Sequence, residues 1–143
     1  MKIFFGGPLT NLKDPTKTKA FYQKMGDVAP ANSCEYFWAF QRGTDPEENP
    51  DVPPGRIYEL DTENLGKSDV MIAFVGEPSI GTGLEIEHAR VQNIPVYLLY
   101  QKDDHVCRMV RGSPIVKGEL IYSSEEDALS QLAGLLRNLT KPL

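Results

Sequence analysis

The feature that most constrains the fold is a run of apolar residues, Val70 to Val75, bounded by Asp69 and Gly76 and followed by a glycine-marked loop, Glu77-Pro-Ser-Ile-Gly-Thr-Gly83. A short continuous apolar run between turn signals matches a strand buried on both faces, and such strands belong to parallel sheets. A helical pattern over Leu84 to Gln92 comes next, and then a second buried run from Val96 to Tyr100. Strand, helix, strand is the crossover that a parallel pair requires, because a tight hairpin cannot return the chain in the same direction.

The rest of the chain extends the alternation. Lys2 to Phe5 reads as a first buried strand, since it ends at Gly6-Gly7-Pro8, the punctuation of a strand passing into a loop. Ala20, Phe21, Tyr22 and Met25 predict a helix over Thr16 to Met25 with Gly26 as its stop. Ile57, Leu60, Asn64 and Leu65 predict another over Arg56 to Leu65. A short apolar run at Leu120 to Tyr122 and an amphipathic helix from Ser124 to Asn138 complete the pattern. At 143 residues and 41% hydrophobic content, the chain has the size of a single domain with its own core. The alternation predicts an α/β fold, a flavodoxin-like or Rossmann-like open parallel sheet with helices on both faces. Between Pro30 and Gly55 no element is predicted: Tyr36, Phe37, Trp38 and Phe40 precede a proline-rich stretch that breaks regular structure. Most of these aromatics are expected to fill the core, with Trp38 the candidate for a pocket wall.

Composition narrows the partners. A net charge of −5 and a pI near 5.0 provide no basic field, so a nucleic-acid polymer is not expected. No apolar run approaches the ~20 residues of a membrane span, and the opening apolar run is too short for a secretory signal. Cys34 and Cys107 stand apart, without a disulfide framework or a zinc motif, which is the pattern of reduced thiols in a cytoplasmic protein. His88 and His105 lack neighbours at metal-ligand spacing, so no metal and no other cofactor is expected.

Ligands of open α/β sheets bind beyond the carboxyl ends of the strands, and that edge here carries Gly6-Gly7-Pro8 and the Ser79 to Gly83 loop. Gly81 and Gly83 are expected to leave backbone N–H groups open at a helix N-terminus, a seat for a phosphate or a sugar hydroxyl. Glycines at such a turn also serve its geometry alone. Glu85 falls in the first helical turn on this reading, where the macrodipole favours an ionised carboxylate able to attack carbon. The alternative is a glutamate that only complements the dipole, as Glu87 would. Asp61 is placed to reach the same crevice and pair with Glu85, as paired carboxylates do in glycoside cleavage, unless it is a solvated helix position. Asp69 opens its strand at the amino end and reads as a turn or cap residue. Ser79 and Ser113 lack the nucleophile elbow of a serine hydrolase, and the loop carries neither a Walker pattern nor a dinucleotide fingerprint.

Glu59-Leu-Asp61, Ser68-Asp69, the run Pro78-Ser-Ile-Gly-Thr-Gly-Leu-Glu85, Ala89 and Met109-Val-Arg-Gly112 resemble the nucleoside 2-deoxyribosyltransferase family and its relatives, the 2'-deoxynucleoside 5'-phosphate N-hydrolases. The resemblance runs over most of the chain and implies one such domain over residues 1–143. It implies cleavage of the N-glycosidic bond of a nucleoside or its 5'-monophosphate, with Glu85 as nucleophile, a glycosyl-enzyme intermediate and Asp61 as the second acid. Gly7, Pro8, Ser79, Gly81, Gly83, Phe4 and Trp38 are then the expected substrate-binding residues, and a homodimer or higher assembly is expected because relatives complete their sites from a neighbouring subunit. The chain departs from the hydrolases at Pro8, Thr10 and Cys107, where they hold the 5'-phosphate with two serines and an arginine, and Ser79 alone remains of that set. Phe4 stands where they carry a tyrosine, and Ser79 stands where the transferases carry an aspartate. Lys13 and Arg111 are the candidates for a replacement positive charge, with solvated basic residues the simpler and favoured reading of both. A nucleotide-binding or regulatory module without turnover is the alternative reading.

Overall fold

The structure, a computed structural model, describes residues 1–142. Five parallel strands form one sheet: β1 (Lys2–Gly6), β2 (Glu35–Trp38), β3 (Val70–Phe74), β4 (Val96–Gln101) and β5 (Val116–Tyr122), in the order β2-β1-β3-β4-β5. The helices are α1 (Pro15–Ala31), α2 (Pro54–Gly66), α3 (Ile80–Val91), the short α4 (Arg108–Arg111) and α5 (Glu125–Thr140), with one 3-10 turn at Ala39–Gln41. The predicted open parallel sheet is therefore present, in the flavodoxin-like order. One core layer joins Tyr22 and Met25 of α1 and Leu132 and Leu136 of α5 to the sheet. The other joins Leu65 of α2 and Ile86 and Ala89 of α3 to it. No helix among the described residues is long and apolar enough to cross a membrane.

Chain order makes the crevice. From β1 the chain crosses to β2 on one side, and from β2 it returns to β3 on the other, so loops leave in opposite directions at the carboxyl ends of β1 and β3. Pairing of Phe5 with Ile72 and of Gly6 with Ala73 keeps those ends level. Asp69 works at the opposite edge: its Oδ2 accepts the Lys2 N–H at 2.7 Å, the capping role read from its position.

Two elements differ from the pattern. The first is β2, which the aromatic segment hides because a four-residue edge strand is too short to show a periodicity. Its aromatics do fill the core. Trp38 is 1% exposed, stacks on Tyr22 at 4.4 Å and donates its indole N–H to the Tyr22 carbonyl at 3.0 Å. The second is the end of α1, expected at Gly26 but reached only at Ala31. Gly26 is an interior helical position that faces β2, where an added Cβ would lie 3.0 Å from Tyr36 and 3.3 Å from Trp38. Close helix–strand approach, not helix termination, accounts for this glycine. Smaller shifts follow local chemistry: Asp14 caps α1 by accepting the Lys17 N–H, and β5 begins four residues earlier than its apolar run.

Gly26→Val forces branched carbons against Tyr36 and Trp38, and is expected to destabilise the fold by about 1–3 kcal/mol. Urea denaturation measures this, and an unchanged midpoint would show that the approach of α1 to β2 is not tight.

Candidate active site

Where the loops after β1 and β3 part, a cavity of about 530 Å3 opens. Its charged walls are only Asp61 and Glu85, among the described residues. Gly6 ends β1, and Gly7, Thr10 and Asn11 follow in its loop; Ser79 and Gly81 come from the start of α3, Trp38 from the end of β2, and Thr44 and Pro46 from the segment after it. That last wall is fastened from outside, since the Lys19 ammonium lies 2.8 Å from both the buried Asp45 and the exposed Glu47. Burial alone would raise the Asp45 carboxyl, yet its contacts with Lys19 and the Glu47 amide hold it below the ordinary value.

Helix α3 begins at Ile80, not at Leu84, because Ser79 acts as its N-cap: the hydroxyl accepts the Thr82 N–H at 3.1 Å. Three expectations change as a result. Gly81 lies in the first turn and lines the cavity, while Gly83 already donates its N–H to the Ser79 carbonyl at 3.2 Å and faces a separate groove beside His105 and Cys107. Helical period explains the split, since Gly81 and Glu85 share a face and Gly83 does not. Glu85 stands in the second turn, beyond the reach of the first-turn amides, so the dipole does not hold it ionised.

Burial decides its state instead. The stem of Glu85 is half-buried, but Oε2 is sealed from solvent and has no hydrogen-bond partner, and Asp61 Oδ1 is in the same condition. Burial, and secondly the neighbouring Asp61 charge, push the Glu85 carboxyl well above its ordinary value. Burial raises Asp61 to about 6. Two carboxyls therefore sit together in one cavity, both raised and each with one oxygen lacking a partner. Gly6 makes room for them, since a Cβ there would fall 2.8 Å from Glu85 Oε2 and 2.7 Å from the Met71 methyl.

The other expected residues divide. Gly7, Ser79 and Trp38 line the cavity. Phe4 does not: it is fully buried and stacked on Phe37 at 5.4 Å, because alternation along β1 turns Phe5 to the cavity in its place. Pro8 is also outside, its carbonyl accepting the Tyr22 hydroxyl at 2.9 Å as the chain turns and delivers Thr10 to the wall. Arg111 is bound to Glu119 at 2.6 Å, and neither it nor Lys13 lines the cavity. Thr44, Pro46 and Asn11 carry no local signal; the loop after β2 brings in the first two and the loop after β1 brings in Asn11. Among the described residues, no group of three His, Cys, Asp or Glu is placed to hold a metal.

No family model matches the chain. It is 31% identical over 144 residues to a Syntrophotalea carbinolica protein assigned as a 2'-deoxynucleoside 5'-phosphate N-hydrolase, covering 96% of this chain and 93% of the relative. A Methanosarcina barkeri protein assigned the same activity is 52% identical over 58 residues, 41% of this chain and 36% of the relative. Among solved structures, a Clostridium botulinum CMP N-glycosidase superposes with a TM-score of 0.71 at 21% identity, covering 94% of this chain and 99% of that one. A 2-deoxyribosyltransferase of Bacillus psychrosaccharolyticus gives 0.63 at 17% identity, over 92% and 96%. The structural likeness establishes a shared fold, and full-length identity to the Syntrophotalea protein goes further: the chain is an enzyme of the 2'-deoxynucleoside 5'-phosphate N-hydrolase family.

Proposed function

We propose that the enzyme cleaves the N-glycosidic bond of a nucleoside or nucleotide through Glu85, with Asp61 as its partner acid. The observation that carries this reading is the pair of acids lining one cavity, each with one carboxyl oxygen sealed and unpartnered. Leaving such groups unsatisfied costs stability, and functional sites are where that cost is tolerated.

The chemistry follows from the pair. The Glu85 carboxylate forms a bond to the anomeric carbon as the carbon–nitrogen bond to the base breaks, and the base leaves with the bonding electrons and a proton. Burial and the neighbouring Asp61 charge favour a proton on Glu85, so the pair holds the proton that the departing base takes up. An oxocarbenium-like centre then stabilises the carboxylate beside it. Water, or a second base, attacks the same carbon, releases Glu85 and returns a proton to the pair. Ser79, Thr10 and the free first-turn amides of α3 suit sugar hydroxyls, and the apolar lining of Leu9, Ala39, Pro46, Ile57 and Ile80 suits the base.

The homodimer belongs to this reading. Ile80, Leu84 and Val91 on α3 and Tyr58 on α2 are 88%, 61%, 65% and 62% exposed, large apolar side chains that a partner copy would cover. Tyr58, Leu84 and Val91 border a groove that shares Ile57, Asp61, Gly81 and Glu85 with the cavity, so a second copy seated there closes the open side of the site.

Chromatographic detection of free base tests the proposal. Glu85→Gln is expected to lower turnover at least about 10³-fold while leaving ligand binding nearly unchanged, and a fully active variant would sink the assignment. A second expectation concerns pH. A carboxyl raised in the folded state costs stability once pH exceeds its unfolded value near 4.3, so stability falls as pH rises from there. The Tm of Glu85→Gln relative to wild type is therefore expected to increase by about 2–4 °C between pH 4 and pH 7.5, and a pH-independent difference would mean Glu85 is not raised. Leu84→Lys is expected to convert the dimer to monomer in light scattering with chromatography and to lower activity. A monomeric wild type would remove the dimer from the reading.

A further inference from the structure

We propose that Lys19 is a positioning residue of the active site: through its grip on Asp45 it holds the segment after β2 against the cavity, and so sets how tightly substrate is bound without touching it. The inference rests on the cavity being the site of glycosidic cleavage, whereas the grip itself does not.

The segment from Arg42 to Pro53 joins the 3-10 turn to α2 without a helix or strand of its own. Only Thr44 and Asp45 are buried within it, and both are polar, so no apolar side chain roots it in either core layer. Thr44 does not tie it to another element, since its hydroxyl donates to the Ala39 carbonyl at 2.9 Å, just upstream in the chain. Before the segment begins, Gln41 meets Gln23 of α1 through an exposed amide bond at 2.7 Å. Among the hydrogen bonds and ion pairs of the described residues, only those of Lys19 join the segment to a distant element. The ammonium lies 3.0 Å from Asp45 Oδ1 and 2.8 Å from Oδ2, and reaches Glu47 Oε2 at 2.8 Å.

Asp45 passes that grip to the wall. It stands between Thr44 and Pro46, both of which line the cavity. Its Oδ1 also accepts the Glu47 N–H at 2.9 Å, and its carbonyl accepts the Asn49 N–H at 2.7 Å. The turn that carries the two lining residues is therefore built on the gripped residue. Burial alone would lower the proton affinity of the Lys19 ammonium, yet its bonds to Asp45 and Glu47 raise it, which matches the lowered Asp45 carboxyl.

Without the ammonium, Asp45 is a buried charge lacking a counter-ion, an arrangement that strongly destabilises whatever holds it. The segment can relieve this by swinging into water, because no packed apolar side chain opposes the motion. That withdraws Thr44 and Pro46 from the cavity but leaves Glu85 and Asp61, on α3 and α2, in place. The loss then falls on binding and not on the chemistry of bound substrate. Lys19, Asp45 and Glu47 do not border the groove on α2 and α3 where the second copy is seated, so the grip lies within one chain.

The test follows base release and native-state hydrogen exchange in wild type, Lys19→Met and Lys19→Arg, using the best substrate from a panel of deoxynucleosides and their 5'-monophosphates. Lys19→Met is expected to raise KM at least about tenfold, with kcat within about threefold of wild type. In the same variant the Glu47 and Asn49 amides should exchange at least about tenfold faster, while those of β3 and β4 keep their protection. Lys19→Arg keeps the charge and should hold both KM and exchange within about threefold of wild type. Should Lys19→Met not fold, the double variant Lys19→Met/Asp45→Asn removes the bare charge together with the grip, and the same rise in KM and loss of protection are expected of it. An unchanged KM in the variant that folds, protection lost evenly across the sheet, or an arginine variant as impaired as the methionine one would overturn the proposal. If wild type releases no base, the glycosidic reading fails on its own; exchange at Glu47 and Asn49 then decides the grip, which faster exchange upholds and unchanged exchange overturns.

Discussion

Parallel pairing of β1 with β3 is the constraint on which the rest of the structure depends. It sets Gly6 beside Ala73, levels the ends of the two strands and forces their loops apart. The cavity is the space between those loops. Gly6 is the narrowest point of the arrangement, because it lies between the Met71 methyl and Glu85 Oε2 with no room for a side chain. A strand end that carried a Cβ there would push the Glu85 carboxyl out of the site.

That pairing also explains how a buried glutamate is tolerated. Helix α3 is anchored by the Ser79 cap and by Ile86 and Ala89 in the core layer, so the face bearing Gly81 and Glu85 has no freedom to turn toward solvent. Asp61 is held opposite by α2, whose Leu65 is fully buried in the same layer. Two carboxyls are thus kept where neither finds a donor. On the proposed glycosidic reading, the stability forgone there is the counterpart of reactivity, since a carboxylate with satisfied hydrogen bonds is a poor nucleophile.

Much of this was legible locally. The runs Val70 to Val75 and Val96 to Tyr100 are apolar enough to identify buried parallel strands without any tertiary knowledge, and the glycine-marked loop between them locates the ligand edge. Glu85 and Asp61 were legible as acids at that edge. The turn in which Glu85 lies was not, because Ser79 reads as a loop residue until its hydroxyl is seen to cap the helix. Gly83 and Phe4 were misplaced for one reason: sequence position puts them next to the site, but helical and strand periodicity turns their neighbours Gly81 and Phe5 inward.

The sequence by itself determined the order of the main strands and helices, the β-α-β crossover, and the acids available for chemistry, since these follow from short-range patterns of burial and turn formation. Tertiary structure alone decided that the aromatic segment supplies an edge strand, that Gly26 serves packing and not termination, and that Thr44 and Pro46 wall the cavity. It also decided the state of the carboxyls. An ionisable group takes its proton affinity from the solvent and charges around it, and those surroundings come from elements far apart in the chain.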